Sequence, residues 1–209
     1  MLNIHIFRPA KGPALKKPNV VGQKPPLKLK EIWAIRMHLQ LTGQLRELVL
    51  FNLAIDSKLR ACDLVKLRVQ DLCQAGEVAN RAIVMQQKTK RPVQFEITEQ
   101  TRVAVASWIH HKRLSPTDYL FTSRIKSSPH LSRRQYARLL DKWLSAIGLD
   151  PSRYGTHSLR RTKASLIFKR TKNLRAVQLL LGHRAIESTV RYLGVEVDDA
   201  LELAEQTEV

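Results

Sequence analysis

Between Thr156 and Gly194 the chain concentrates side chains suited to phosphodiester chemistry. The run THSLRRT opens at Thr156, LLLGH closes at His183, and STVRYLG closes at Gly194. His157 and Arg160 stand three residues apart, so on a helix they share a face. His183 directly follows Gly182, and Tyr192 comes nine residues later. A guanidinium suits negative charge building on phosphate oxygens, an imidazole can move a proton, and a tyrosine hydroxyl can be the nucleophile. Each residue also has a structural use: His157 as a capping or core histidine, His183 as a partner for helix-end carbonyls, Tyr192 as an aromatic packed beside Leu193. The case for chemistry rests on the set.

Such groups need a frame, and the apolar periodicity supplies one that is mostly helical. Ile32, Ile35 and Leu39 predict a first short helix, and Leu45, Leu48, Val49, Asn52 and Leu53 a second. A third follows Arg60, with Leu64, Val65 and Leu67 on its apolar side. Further helices are predicted over 101–112 and 132–147, the latter ended by Gly148. Thr156 is expected to cap a helix running to about Arg170, and Asn173 another that ends at Gly182. The stretch from Arg81 to Thr98 differs: RAIVMQQ, a polar KTKRP, then VQFEIT read as two strands around a basic turn. The fold class is mainly α with a small antiparallel β-sheet (α+β).

Charge gives the boundaries. The 209 residues carry 36 Lys+Arg against 18 Asp+Glu, a formal net charge of +18. That surplus favours a polyanionic partner, with nucleic acid ahead of an anionic membrane. Residues 1–30 hold seven Lys/Arg, no acid and five of the nine prolines, a composition that predicts a flexible basic arm. Residues 196–209 hold six acids and no Lys or Arg, and Val197, Ala200, Leu201 and Ala204 fall along one helical stripe. The body over 31–195 carries most of the positive charge. No apolar run approaches the ~20 residues of a membrane span, and the opening MLNIHIFRPAKG has no secretory pattern. Cys62 and Cys73 lack metal spacing, so a reducing cytoplasm is expected.

On these residues the sequence resembles the tyrosine recombinases, or phage-type integrases. His157-x-x-Arg160 resembles the family's His-x-x-Arg box, the Leu-Gly-His ending at His183 its second box, and Tyr192 its nucleophile. Upstream, LRACDLVKLRVQDL resembles the segment bearing the family's first catalytic arginine, which assigns that role to Arg60, with Asp63 as its acidic neighbour. QQKTKRPVQF resembles the Lys-Thr turn and assigns the catalytic lysine to Lys88, with Lys90 as the alternate. The resemblance covers roughly residues 31–195 and implies the catalytic-domain fold of that family. It departs at Lys58, where the family commonly has a Gly that eases a sharp turn, so a different local backbone is expected there. The thirty residues ahead of the body are too few for the helical core-binding domain that most members carry. The chain is therefore expected to be a short, catalytic-domain-only member, of which fimbrial-switch invertases are examples, or a piece of a longer protein.

The resemblance implies a mechanism. Tyr192 attacks the scissile phosphate to give a 3′-phosphotyrosyl enzyme and a free 5′-hydroxyl. Arg60 and Arg160 clamp the non-bridging oxygens, Lys88 protonates the leaving oxygen, His157 helps take the tyrosine proton, and His183 hydrogen-bonds a phosphate oxygen. No ATP motif and no Mg²⁺-type carboxylate cluster stands in the sequence, so no cofactor and no metal are expected. The expected partner is double-stranded DNA, bound by a homo-oligomer (a tetramer on paired sites), with no membrane and with a cytoplasmic, nucleoid-associated location in a bacterium. Two other classes stay open: a type IB topoisomerase using the same groups, and a catalytically idle DNA-binding accessory protein.

Overall fold

The computed structural model describes residues 23–123 and 128–194. The arm ahead of Gln23 and the acidic segment from residue 196 onward lie outside the described residues.

Eight helices and two small hairpins make up the described fold, as the sequence pattern predicts for its class. Helix α1 (Leu29–Leu41) and helix α2 (Leu45–Ser57) come first. Every residue of α2 from Leu48 to Ser57 is buried, so this helix is enclosed all round and forms the centre of the domain. It packs against α1, helix α4 (Glu99–Lys112) and helix α6 (Thr156–Thr171). Each fully buried Leu, Ile or Phe along it contributes about 1.5–3 kcal/mol from leaving water.

The expected Arg81–Thr98 hairpin is strand β3 (Arg81–Met85) paired antiparallel with β4 (Pro92–Glu96), Ala82 opposite Phe95 and Val84 opposite Val93. A second hairpin, β1 (Cys73–Gln74) with β2 (Glu77–Val78), was not predicted, since two residues are too few to show alternation. Helix α3 (Ala61–Leu64) is a single turn. In helix α5 (Arg133–Ala146) the Ser132 side chain accepts from Gln135 N, capping the start. Asn173 caps helix α7 (Leu174–Leu181) as expected, accepting from Ala176 N. Thr156 instead is the first residue of α6, and Gly155 occupies the cap position.

The main core excludes one corner. Ala164, Val177 and Leu181 form a separate small cluster, against which Tyr192 and Leu193 of helix α8 (Ile186–Leu193) are packed.

Lys58 overturns its expectation. It takes the left-handed conformation, φ 53°, that glycine adopts freely, so the turn is kept and not altered. Tertiary bonds hold it there: its buried Nζ donates to Asp56 O at 2.7 Å and to Glu96 Oε2 at 3.3 Å. Asp56 in turn accepts from Lys163 Nζ (2.9 Å), Thr98 Oγ1 (2.7 Å) and Thr101 Oγ1 (2.6 Å), and Lys163 also pairs with Glu96. This cluster ties α2, β4 and α6 together beneath the site.

Burial alone would raise the Asp56 pKa, but Lys163 and the two threonine hydroxyls outweigh it and hold it below the usual carboxylate range. A lowered folded pKa contributes stability above the unfolded value of ~3.9, and that stability is lost as pH falls through the folded value. Urea unfolding followed against pH should therefore show a steep loss below about pH 4. In Asp56→Asn the protein should be weaker at neutrality, and its acid limb shallower. An acid limb unchanged by the substitution would remove Asp56 from this role.

Candidate active site

The structure brings the six residues singled out in the sequence to one place. Arg60 is the residue before α3, Lys88 lies on the turn between β3 and β4, and His157 and Arg160 are in the first turns of α6. His183 follows α7, and Tyr192 is near the end of α8. Arg60, Lys88 and His157 line an open cavity of about 730 Å³ together with Arg133 and Arg134 of α5. His157 also borders a second cavity, of about 580 Å³, which Tyr192 and Arg161 line.

Arg160 is buried and anchored by main chain. Its Nη1 donates to Lys58 O at 2.6 Å and its Nη2 to Leu181 O at 3.0 Å. The left-handed turn at Lys58 thus aims a carbonyl at a guanidinium from a helix 102 residues further along the chain. Arg60 Nη1 donates to the Gln86 side-chain oxygen at 2.5 Å. The loop before His183 is tight: a Cβ at Gly182 (φ +67°) would come within 2.6 Å of Val93 Cγ2, so a side chain there must push the Val93 side chain of β4 aside. His183 Nδ1 and Thr189 Oγ1 lie 3.1 Å apart, which couples this loop to α8.

Tyr192 is enclosed by the site's cations and by His183. Its ring meets the His183 ring edge to face at 5.2 Å between centroids, and the guanidinium carbons of Arg161 and Arg160 lie 5.3 and 5.9 Å from its centroid. The phenol oxygen is buried and, among the described residues, has no partner within hydrogen-bond distance. Burial pushes its pKa up to about 12, against the pull of Arg160 and Arg161. Burial, then Arg160 and Arg60, lowers the His183 pKa to about 4. The His157 pKa is lowered as well, by enclosure first and then by Arg160, Arg60, Arg161 and Lys88. At neutral pH the site therefore holds a protonated phenol and two neutral imidazoles among fixed positive charges.

Two residues were missed by the sequence reading. Arg161, the second arginine of THSLRRT, donates from Nε to Tyr192 O (3.0 Å) and from Nη1 to Lys24 O (2.6 Å), and it also bonds the Gln23 side chain. Gln23 Nε2 donates to Arg191 O at 2.7 Å, and Leu27 N to Thr162 Oγ1 at 3.0 Å. The segment read as arm is thus bonded, from Gln23 to Leu27, to α6 and to the helix bearing Tyr192. Gln86 is the other residue, fully buried between the hairpin and the Leu181–His183 loop. Their partners are carbonyls and side chains distant in sequence, and no local pattern marks them. Among the described residues no three His, Cys, Asp or Glu side chains gather as metal ligands would, and no helix is long and apolar enough to cross a membrane.

Residues 27–198 match the model of the phage integrase family. The chain is 29% identical over 170 residues to the probable integrase/recombinase YoeC of Bacillus subtilis (strain 168), covering 81% of this chain and 88% of that one. It is 30% identical over 150 residues to a tyrosine recombinase of Pseudothermotoga lettingae, and 26% identical over 196 to the tyrosine recombinase XerC of Neisseria gonorrhoeae (strain ATCC 700825 / FA 1090). These matches take in 72% and 91% of this chain but only 50% and 62% of those proteins. Among solved structures it is similar to XerA recombinase (TM-score 0.70, 18% identity, 91% of this chain and 66% of that one). It is also similar to XerH site-specific recombinase bound to its difH substrate (TM-score 0.68, 17% identity, 88% and 55%). A match over so much of the chain, with the boxed residues gathered around one tyrosine, makes it a member of the phage integrase, or tyrosine recombinase, family.

Proposed function

We propose that this protein is a site-specific DNA strand transferase that cuts and rejoins duplex DNA through Tyr192, without metal or ATP. The observation that carries this reading is the buried Tyr192 hydroxyl set among Arg160, Arg161 and His183. In the reaction, Tyr192 Oη attacks the phosphorus and its proton passes to His157, which is neutral and able to accept it. Arg60 and Arg160 stabilise the charge gathering on the non-bridging oxygens. Lys88 protonates the 5′ oxygen as it leaves, and His183 donates to a phosphate oxygen. A 5′-hydroxyl of a second strand then displaces the tyrosine. Relatives named as integrases and recombinases support strand exchange over relaxation of a single duplex by a topoisomerase, or over an idle accessory protein. Such an enzyme works where the chromosome is, in the cytoplasm at the bacterial nucleoid.

The test is covalent capture. A pool of duplexes with a randomised centre is incubated with the protein in EDTA and washed under denaturing conditions, and the retained DNA is sequenced. Enrichment of one site joined to protein through a 3′ phosphate supports the reading; no retained DNA overturns it.

The basic arm, with Arg8, Lys11, Lys16 and Lys17 ahead of Gln23, is proposed to lie along phosphates beside the site. The assembly is proposed to be a homotetramer on paired sites. Leu29, Trp33, Met37 and Leu41 recur every four residues along α1 and are 52–79% exposed, an apolar stripe suited to a protein partner. The acidic segment 196–209, which DNA repels, is proposed to pack on a neighbouring copy. Truncation after Gly194 should abolish assembly on paired sites, read by gel shift, while single-site binding survives. Loss of thermal stability in the free monomer would instead assign the segment to its own domain.

A further inference from the structure

One buried polar side chain outside the six touches three parts of the site at once. Gln86 follows β3 directly, where the turn carrying Lys88 begins, and it is fully shielded from solvent. Its Oε1 accepts from Arg60 Nη1 at 2.5 Å and from Thr89 Oγ1 at 2.8 Å. Its Nε2 donates to Leu181 O at 3.4 Å, the same carbonyl that accepts from Arg160 Nη2. Its main chain closes the turn, with Gln86 N donating to Arg91 O and Lys90 N to Gln86 O, both at 2.9 Å. The two ends of the amide are not interchangeable, because the oxygen faces two donors and the nitrogen faces an acceptor.

Lys88 itself is exposed on a three-residue turn, so the placement of its ammonium depends on how that turn is seated. We propose that Gln86 is the positioning residue that seats the Lys88 turn against Arg60 and the Leu181–His183 loop, and so governs proton delivery to the leaving 5′ oxygen. This rests on the strand-transfer reading above. In that step the Tyr192 Oη–phosphorus bond forms and the phosphorus–O5′ bond breaks. The electron pair stays on O5′, which takes the Lys88 proton, while the tyrosine proton goes to His157.

The test uses the captured sequence as a nicked duplex in two forms, one ordinary and one with sulfur in place of the bridging 5′ oxygen. A thiol has a pKa of only ~8.5, so sulfur leaves as a thiolate without a proton donor. Gln86→Met keeps the bulk but loses all three side-chain bonds. It should bind the ordinary duplex as the unsubstituted protein does and cleave it ~100-fold more slowly, the size of loss a small misplacement causes. On the sulfur duplex most of that loss should be recovered, as with Lys88→Ala and unlike Arg60→Ala. Thr89→Val, on the exposed turn, should show the same pattern with a smaller loss. Equal slowing on both duplexes, or no slowing on the ordinary one, overturns the proposal. If Gln86→Met does not fold by circular dichroism, Thr89→Val decides alone: recovery on sulfur supports the proposal, and its absence overturns it. An unsubstituted protein that forms no adduct on either duplex overturns the strand-transfer reading itself, and this proposal with it.

Discussion

A chain carrying Tyr192→Phe should form no covalent adduct with DNA, bind the same duplex as tightly as the unsubstituted protein, and melt at the same temperature or higher. The first outcome follows from removing the oxygen proposed to attack. The third follows from the surroundings of that oxygen, which is buried without a partner among the described residues. A buried unsatisfied hydroxyl costs ~1–3 kcal/mol, so its removal relieves the fold. The ring stays, and with it the contacts to His183 and the two guanidinium groups. Denaturing gels of the captured duplex and a thermal melt read all this together. An adduct that survives the substitution names another nucleophile. A lower melting temperature would mean that the hydroxyl is bonded after all.

Arg160 has the second largest expected effect, and it acts on rate more than on affinity. Losing one donor to a developing oxyanion costs ~2.7–4 kcal/mol, or ~10²–10³ in rate, in well-studied sites. Arg160→Ala also strips Lys58 O and Leu181 O of a donor, so some stability is lost with it. Arg160→Lys separates the two effects, because it keeps a charge but cannot reach both carbonyls with one planar fork. Single-turnover cleavage of the nicked duplex, set beside its binding curve, should show both variants far slower at nearly unchanged affinity. A loss of equal size in affinity and in kcat/KM would assign Arg160 to ground-state binding.

The parts of this molecule legible in its sequence are those written in local pattern. Asn173 before an apolar run and Gly182 after it announced a helix whose cap and left-handed end are as expected. The period of α5, from Tyr136 to Leu144, announced its buried face. Arg60 and Lys88 were legible only through resemblance, since a lone arginine at a helix start and a lysine on a turn look like solvated surface. Lys58 was misread because lysine rarely enters the left-handed region, and what holds it there is an ion cluster drawn from β4 and α6. Arg161 and Gln86 were invisible for the same reason. Arg161 joins Lys24 to Tyr192, and Gln86 joins Arg60 to Leu181, pairings that only the tertiary fold creates.

The way the two arginines are held has a consequence for protons. Arg160 rests on two carbonyls and Arg60 on an amide oxygen; among the described residues neither donates to a carboxylate. Amide oxygens orient a guanidinium without cancelling its charge, and the pKa values of His157 and His183, lowered first by burial, are lowered further by these arginines. A phosphodiester entering the site would bring negative charge, and the proton affinity of His183, the imidazole proposed to donate to it, should rise. DNA binding should thereby be coupled to proton uptake, so the heat released on binding is expected to carry a contribution from whichever buffer supplies the protons, and the complex to tighten as the solution becomes more acidic.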